Sequence, residues 1–185
     1  MEKRALVILA EGFEETEAVS AIDIMRRGGI EVVIAGVGSR NVSGSRKIAI
    51  LADIPVDDIK GKFDAIVLPG GMPGAENLAA SPEVKALVMR FFHSYKLIAA
   101  ICAAPAVVLE PLGILKGRSA TCYPGRRDEL ERSAHYKDKK VVVDGNLITS
   151  QGLGTSQQFG LAIVEKLMGK AAAKRVGKSA LISDR

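Results

Sequence analysis

Three short stretches hold residue types that could do chemistry together: EGFEETE at 11–17, PGGMPG at 69–74 and LIAAICAAP at 97–105. The first offers Glu14, Glu15 and Glu17 at a helix start, and a carboxyl whose surroundings raise its pKa toward neutrality both donates and accepts protons. The second offers Gly70 and Gly71, where a main chain without side chains approaches a substrate closely enough for its N–H groups to hold an oxyanion. The third places Cys102 where an apolar strand ends and a helix begins. Free N–H groups and the positive end of a helix favour thiolate there, which would bring the usual pKa of ~8.5 into the range of roughly 3.5–7.5 found in reactive cysteines. Ala103 and Ala104 leave the backbone beside the sulfur accessible.

Each stretch also has a plainer explanation. A cysteine among alanines is commonly a small core residue, PGG is commonly a turn, and acids at a helix start complement the helix dipole. Joint placement at one edge of a sheet favours chemistry over these readings, although periodicity does not choose among the three glutamates. Cys122 in SATCYPG lacks such company and reads as structural, and His93 at a helix end reads as packing or dipole balance. His135 in ERSAHYKD has the right type to orient or protonate a site group, with no local pattern to tie it to one.

The elements that must position these residues alternate. Strand-length apolar runs at 4–10, 31–37, 64–71 and 97–101 are separated by helical patterns over 16–27, from Ser81-Pro82 onward and over 104–112. Residues 45–54 read as a hairpin-like excursion, with short strands near 119–121, 141–143 and 147–149 and a last long helix capped at Thr155 or Ser156. This order predicts an α/β fold, a three-layer sandwich around a doubly wound, mostly parallel sheet, with residues 1–185 forming one domain. Ligands bind such sheets beyond the carboxyl ends of the strands, near the point where strand order reverses. All three stretches lie at strand ends of that kind.

Composition narrows the function. The chain has 185 residues, 48% hydrophobic and 25% charged with no tryptophan, as in ordinary globular proteins. No apolar run approaches the ~18 residues of a membrane span, and the N-terminus turns acidic too soon for a signal peptide, so a cytoplasmic protein is expected. Two cysteines do not make a disulfide framework. The net charge of +5 is spread along the chain without interleaved aromatics, which speaks against a dedicated nucleic-acid partner. The turn after the first strand lacks the three-glycine dinucleotide spacing, and Cys and His lack metal-ligand spacing, so neither a nucleotide cofactor nor a metal is expected.

The stretches KRALVILAEGFEETE, VLPGGMPGAENL, LIAAICAAPAVVL and LITSQGLGTSQQFGLAIVEKL, in this order and spacing, resemble the ThiJ/PfpI superfamily, and within it the parkinsonism-associated deglycase branch. The resemblance covers essentially the whole chain. It implies a flavodoxin-like sandwich, a homodimer and a catalytic cysteine at Cys102, and among the three acids it selects Glu17 as the cysteine's protonated partner. By the same resemblance Gly70, Gly71 and Ala103 supply oxyanion donors, His135 is a site histidine, and Arg46 and Arg27 lie near the site or the dimer seam. Ala103 stands where protease-like branches carry histidine after the nucleophile, which removes the base of a Cys-His peptidase. Leu51 stands where some animal members carry a second oxidisable cysteine, and Gln151 where some relatives have arginine. The activity so implied is cofactor-independent: a glyoxalase III or protein deglycase acting on methylglyoxal, other α-oxoaldehydes or glycated side chains. The alternative is an oxidative-stress sensor or redox-regulated chaperone that uses the same cysteine.

Overall fold

The computed structural model describes residues 2–182. β1 (Arg4–Leu9) is an aliphatic run buried on both faces, as a central parallel strand requires. α1 (Glu15–Arg27) follows and returns the chain to β2 (Glu31–Gly36). The excursion expected at 45–54 is a two-stranded hairpin, β3 (Asn41–Ser43) with β4 (Ala49–Leu51), after which β5 (Ile54–Pro55) rejoins the main sheet. β6 (Ala65–Leu68) leads into α2 (Gly74–Ala80) and α3 (Pro82–His93). Ser81 caps α3 by accepting a hydrogen bond from the Val84 N–H at 3.2 Å, and Pro82 occupies the first turn, where no N–H is needed. β7 (Leu97–Ile101) then runs into Cys102.

The remaining strands are β8 (Ser119–Ala120), paired with β9 (His135–Tyr136) after the single turn α4 (Arg127–Leu130), and the hairpin of β10 (Val141–Asp144) with β11 (Leu147–Ser150). The main sheet has the order β10-β11-β7-β6-β1-β2-β5, with only β10 antiparallel. β1 sends the chain to β2 on one side, and β6 returns to it on the other, so strand order reverses between β1 and β6. α1, α5 (Ser156–Met168) and α6 (Lys170–Ser179) cover one face, with Ala18, Met25, Phe159 and Ile163 in its core. α2, α3 and the turns after β7 cover the other over Leu78, Val88 and Leu109. The expected three-layer α/β sandwich is therefore present.

Three elements depart from the sequence reading. The helix expected over 104–112 is a π-helical turn, Pro105–Leu109, followed by turns. The last long helix is two, because Gly169 at φ 89° ends α5 and starts α6. α2 was not expected, since GAENLAA is too short for a periodic apolar stripe. Among the described residues no helix is long and apolar enough to cross a membrane.

α1 and α5 approach through small residues, and this contact sets where α1 delivers its first turn. A Cβ on Gly160 would lie 2.8 Å from Ile24 Cβ, whereas one on Gly154 would meet nothing within 4 Å. Gly160→Val is therefore expected to lower stability by about 1–3 kcal/mol through overpacking. The measurement is the urea midpoint, with Gly154→Ala as a control that stays near wild type; a wild-type midpoint for Gly160→Val would show that the two helices separate freely.

Candidate active site

Cys102 sits at φ 63°, left-handed backbone that costs a non-glycine residue about 1–2 kcal/mol. Its neighbours hold it there. The Cys102 N–H donates to the Ser150 carbonyl of β11 at 2.9 Å, and the Tyr123 N–H donates to the Cys102 carbonyl at 2.8 Å. The result is the elbow expected from sequence, with Cys102 partly exposed at the end of β7 and the N–H groups of Gly71 and Ala103 hydrogen-bonded to its sulfur.

The three glutamates of the first turn have separate tasks. Glu14 caps α1 by accepting the Glu17 N–H at 2.6 Å. Glu15, 4% exposed, accepts the Arg46 N–H at 2.6 Å, the Ile48 N–H at 3.4 Å and the Ser45 hydroxyl at 3.3 Å, which pins the tip of the β3–β4 hairpin. Burial pushes its carboxyl up, but these donors more than offset it, and its pKa lies below the ordinary glutamate value. Glu17, 1% exposed, faces the sulfur. Its Oε2 accepts the Gly70 N–H at 2.9 Å, and no N–H or hydroxyl group reaches its buried Oε1. A Cβ on Gly152 would stand 3.8 Å from both that Oε1 and Cys102 Sγ, so the two atoms border one small space.

Burial is the main reason that the Glu17 carboxyl rises to about 7, against the hydrogen bonds from the Cys102 thiol and then the Gly70 N–H, which favour its anion. Burial first, then the Glu17 charge and the hydrogen bond to Glu17, push the Cys102 thiol up to about 12. The low thiol pKa expected from the elbow is therefore corrected: the Gly71 and Ala103 N–H groups lower it, as the elbow implies, but desolvation and an adjacent carboxylate outweigh them. Two of the three raising causes belong to ionised Glu17. A proton on Glu17 thus makes the sulfur more acidic, and the pair comes down to one shared proton as pH rises above 7.

The other expected site residues divide. Gly71 and Ala103 are at the sulfur, as expected. Gly70 is in the site but not as an oxyanion donor, because its N–H is already donated to Glu17. It must still be glycine, since a Cβ there would lie 2.6 Å from Cys102 Cβ. His135 is exposed on β9 opposite Ser119, four residues before Tyr123 and roughly 13 Å of extended chain from the elbow, so within one chain it is not a site residue. Arg27 lies at the far end of α1, about 15 Å along the axis from Glu17, and pairs with Asp23 at 2.7 Å. Arg46 contributes its main chain to Glu15 and has an exposed position on the hairpin. Tyr123 and Gly152 were missed. Cys122 is fully buried on the opposite face of the sheet, as its structural reading expects. Among the described residues no group of three or more His, Cys, Asp and Glu is arranged to hold a metal ion.

A carboxyl with a pKa near 7 when folded and an ordinary value when unfolded stabilises the fold only while protonated. That contribution is complete below the unfolded value and is lost as pH rises through 7. Glu17→Gln should accordingly match wild type in urea denaturation near pH 4.5 and exceed it above pH 7 by up to about 3 kcal/mol. A difference independent of pH would mean that Glu17 is not held neutral by burial.

Comparison with known proteins agrees with this geometry. The DJ-1/PfpI family pattern matches residues 3–166. The chain is 45% identical over 187 residues to the Parkinson disease protein 7 homolog of Danio rerio, covering 98% of each protein. It is 39% identical over 171 residues to the glutathione-independent glyoxalase DJR-1.2 of Caenorhabditis elegans, covering 91% of this chain and 90% of that one. The crystal structure of Drosophila melanogaster DJ-1beta superposes with a TM-score of 0.95 at 44% identity, over 99% of this chain and 100% of that one. The chain spans less than half the length of two Arabidopsis thaliana relatives that it matches at 45% identity. By pattern, identity and fold, the chain belongs to the DJ-1/PfpI family.

Proposed function

We propose that the protein is a cofactor-independent enzyme of the glyoxalase III or protein deglycase type, converting methylglyoxal and other α-oxoaldehydes, or their early adducts on side chains, to hydroxy acids. The observation that carries this reading is the shared space bordered by Cys102 Sγ and the buried Glu17 Oε1, with Glu17 poised at about 7. A group at that pKa both takes and returns protons at neutral pH, which an isomerisation requires. The family member named a glutathione-independent glyoxalase supports the same reaction class.

The residues suggest a sequence of steps. Glu17 takes the thiol proton as Sγ bonds to the aldehyde carbon, then returns it to the new alkoxide, which faces the N–H groups of Gly71 and Ala103. Each donor of this kind contributes about 3 kcal/mol to barrier lowering in other oxyanion holes. Glu17 next removes the hydrogen of that carbon as a proton. The freed pair forms an enediol as the ketone oxygen gains a proton, and the hydroxyl on the first carbon loses one as Glu17 delivers its proton to the former ketone carbon. A thioester results, and water cleaves its C–S bond to give lactate and restore the thiol. The aldehyde carbon is oxidised and the ketone carbon reduced within one molecule, so the balance needs no external electron carrier. In this reading the protein acts in the cytoplasm on small aldehydes or glycated side chains. It works as a homodimer that covers the exposed Val19, Ile48 and Leu51 of α1 and the hairpin, and Arg46 and Arg27 belong to that seam.

The buried Oε1 also supports a second reading. A protonated Oε1 would donate to an oxygen added to Sγ, favouring sulfinic acid and a peroxide-sensing or chaperone role. One experiment separates the two. Purified protein is expected to convert methylglyoxal to lactate without glutathione, and Cys102→Ser and Glu17→Ala each to lower kcat by at least about a hundredfold. Equal rates for wild type and Cys102→Ser would remove the enzymatic reading. Negligible turnover with a peroxide-driven gain of two oxygens in mass at Cys102 would favour the sensor.

A further inference from the structure

We infer that the mouth of the site is an apolar collar of Met72, Tyr123 and Leu153, which selects uncharged α-oxoaldehydes bearing an apolar or aryl group. The substrate class rests on the oxoaldehyde reading above, and the collar rests on geometry alone. Met72, Tyr123 and Leu153 are 38%, 53% and 55% exposed, although large apolar side chains cost free energy in water. Met72 and Leu153 are next in the chain to residues that border the sulfur, and Tyr123 is hydrogen-bonded to Cys102 itself. Met72 follows Gly71, whose N–H reaches Sγ. Leu153 follows Gly152, where a Cβ would stand 3.8 Å from Sγ. Tyr123 donates its N–H to the Cys102 carbonyl, and its ring Cδ2 is 3.9 Å from that same Gly152 position.

The collar is built rather than incidental. A Cβ on Gly125 would come within 2.9 Å of Tyr123 Cε1, so the ring rests on a residue that has no side chain to displace it. On its other side it faces Gly152, and between them the two glycines leave the ring a defined seat at the edge of the reactive space. Arg126 joins the ends of the collar. Its N–H donates to the Tyr123 carbonyl at 2.8 Å, and its Nη2 lies 3.9 Å from Met72 Sδ. Its charge is answered by Glu129 at 2.7 Å, so the rim presents apolar surface without a free charge. An aldehyde carrying a phenyl group has surface to remove from water there, glyoxal has almost none, and an anionic aldehyde finds no unpaired cation in the collar.

Two readouts test this on the whole chain. The first compares alkylation of Cys102 by N-phenylmaleimide and N-methylmaleimide in wild type, Tyr123→Ala, Tyr123→Leu and Leu153→Ser. The phenyl-to-methyl rate ratio is expected to fall about tenfold in Tyr123→Ala, to fall in Leu153→Ser, and to be restored in Tyr123→Leu. The second compares kcat/KM for phenylglyoxal, giving mandelate, with that for glyoxal; wild type should favour phenylglyoxal by at least about tenfold, and the preference should shrink in the same variants. Unchanged maleimide ratios in Tyr123→Ala and Leu153→Ser overturn the collar. A moved maleimide ratio with no turnover of any aldehyde supports the collar and overturns the oxoaldehyde reading instead. Turnover that favours glyoxal overturns the substrate class.

Discussion

A single main-chain N–H, that of Gly70, is the donor that holds the Glu17 carboxyl, and the geometry around the sulfur follows from it. A carboxyl 1% exposed, with one main-chain donor and the Cys102 thiol as its hydrogen-bond partners, is too poorly solvated to stay ionised at ordinary glutamate pKa. It is too well held to be inert. The same bond aligns the end of β6 with the first turn of α1, and the Glu14 N–H donating to the Gly70 carbonyl at 2.9 Å locks the two from the other side. Residue 70 is thereby confined to glycine by Cys102 Cβ, and residue 71, at φ 90°, by the main chain of Phe13 and Glu14. The chemistry of the carboxyl and the packing of the glycines are one constraint.

The sheet explains why this constraint can be met. β1, β6 and β7 lie side by side and parallel, so their carboxyl ends emerge at one level, and the reversal of strand order between β1 and β6 leaves a gap that no crossover helix fills. Glu17, Gly70 and Cys102 come from the three successive strand ends. β11 adds Ser150, whose carbonyl fixes the strained elbow, and the Ser150–Thr155 hydroxyl pair at 2.6 Å holds the Gly152 turn beside the sulfur. Strain at Cys102 persists because main-chain hydrogen bonds on both sides of it leave no relaxed alternative.

Much of this was legible in residue order, and what was not has physical reasons. Aliphatic strands ending in EGFEETE, PGG and Cys102 sufficed to place three stretches at one edge. The α1 periodicity carries more information than the acids alone suggest: at about 100° per residue Glu15 and Glu17 diverge by roughly 200°, so they cannot both face the sheet. What no pattern conveys is which main-chain N–H is already occupied, and that is why Gly70 read as an oxyanion donor. His135 was expected at the site from the resemblance and not from any local pattern, whereas Tyr123 is held beside the elbow by its N–H bond to the Cys102 carbonyl and a seat on Gly125, neither of which leaves a periodic trace. Arg27 and Arg46 lie beyond what one chain can decide, since their expected place includes a seam with a second copy. The split at Gly169 was missed because alanine and lysine continue a helical composition across a residue whose φ alone ends it.

The raised thiol pKa bears on both functional readings in the same way. A sulfur that is ionised at rest would react with any electrophile or oxidant that reached it, and its selectivity would come only from access. Here the proton leaves sulfur most readily when Glu17 carries one, and Glu17 carries one over half of the time just below pH 7. Reactivity is thus conditional on the state of the carboxyl. A ligand in the space beside Gly152 that accepts a hydrogen bond from Oε1 stabilises the protonated carboxyl and so favours the thiolate. An α-oxoaldehyde presents two adjacent carbonyl oxygens, one for Oε1 and one for the N–H groups of Gly71 and Ala103, so binding itself would shift the shared proton toward the reactive arrangement.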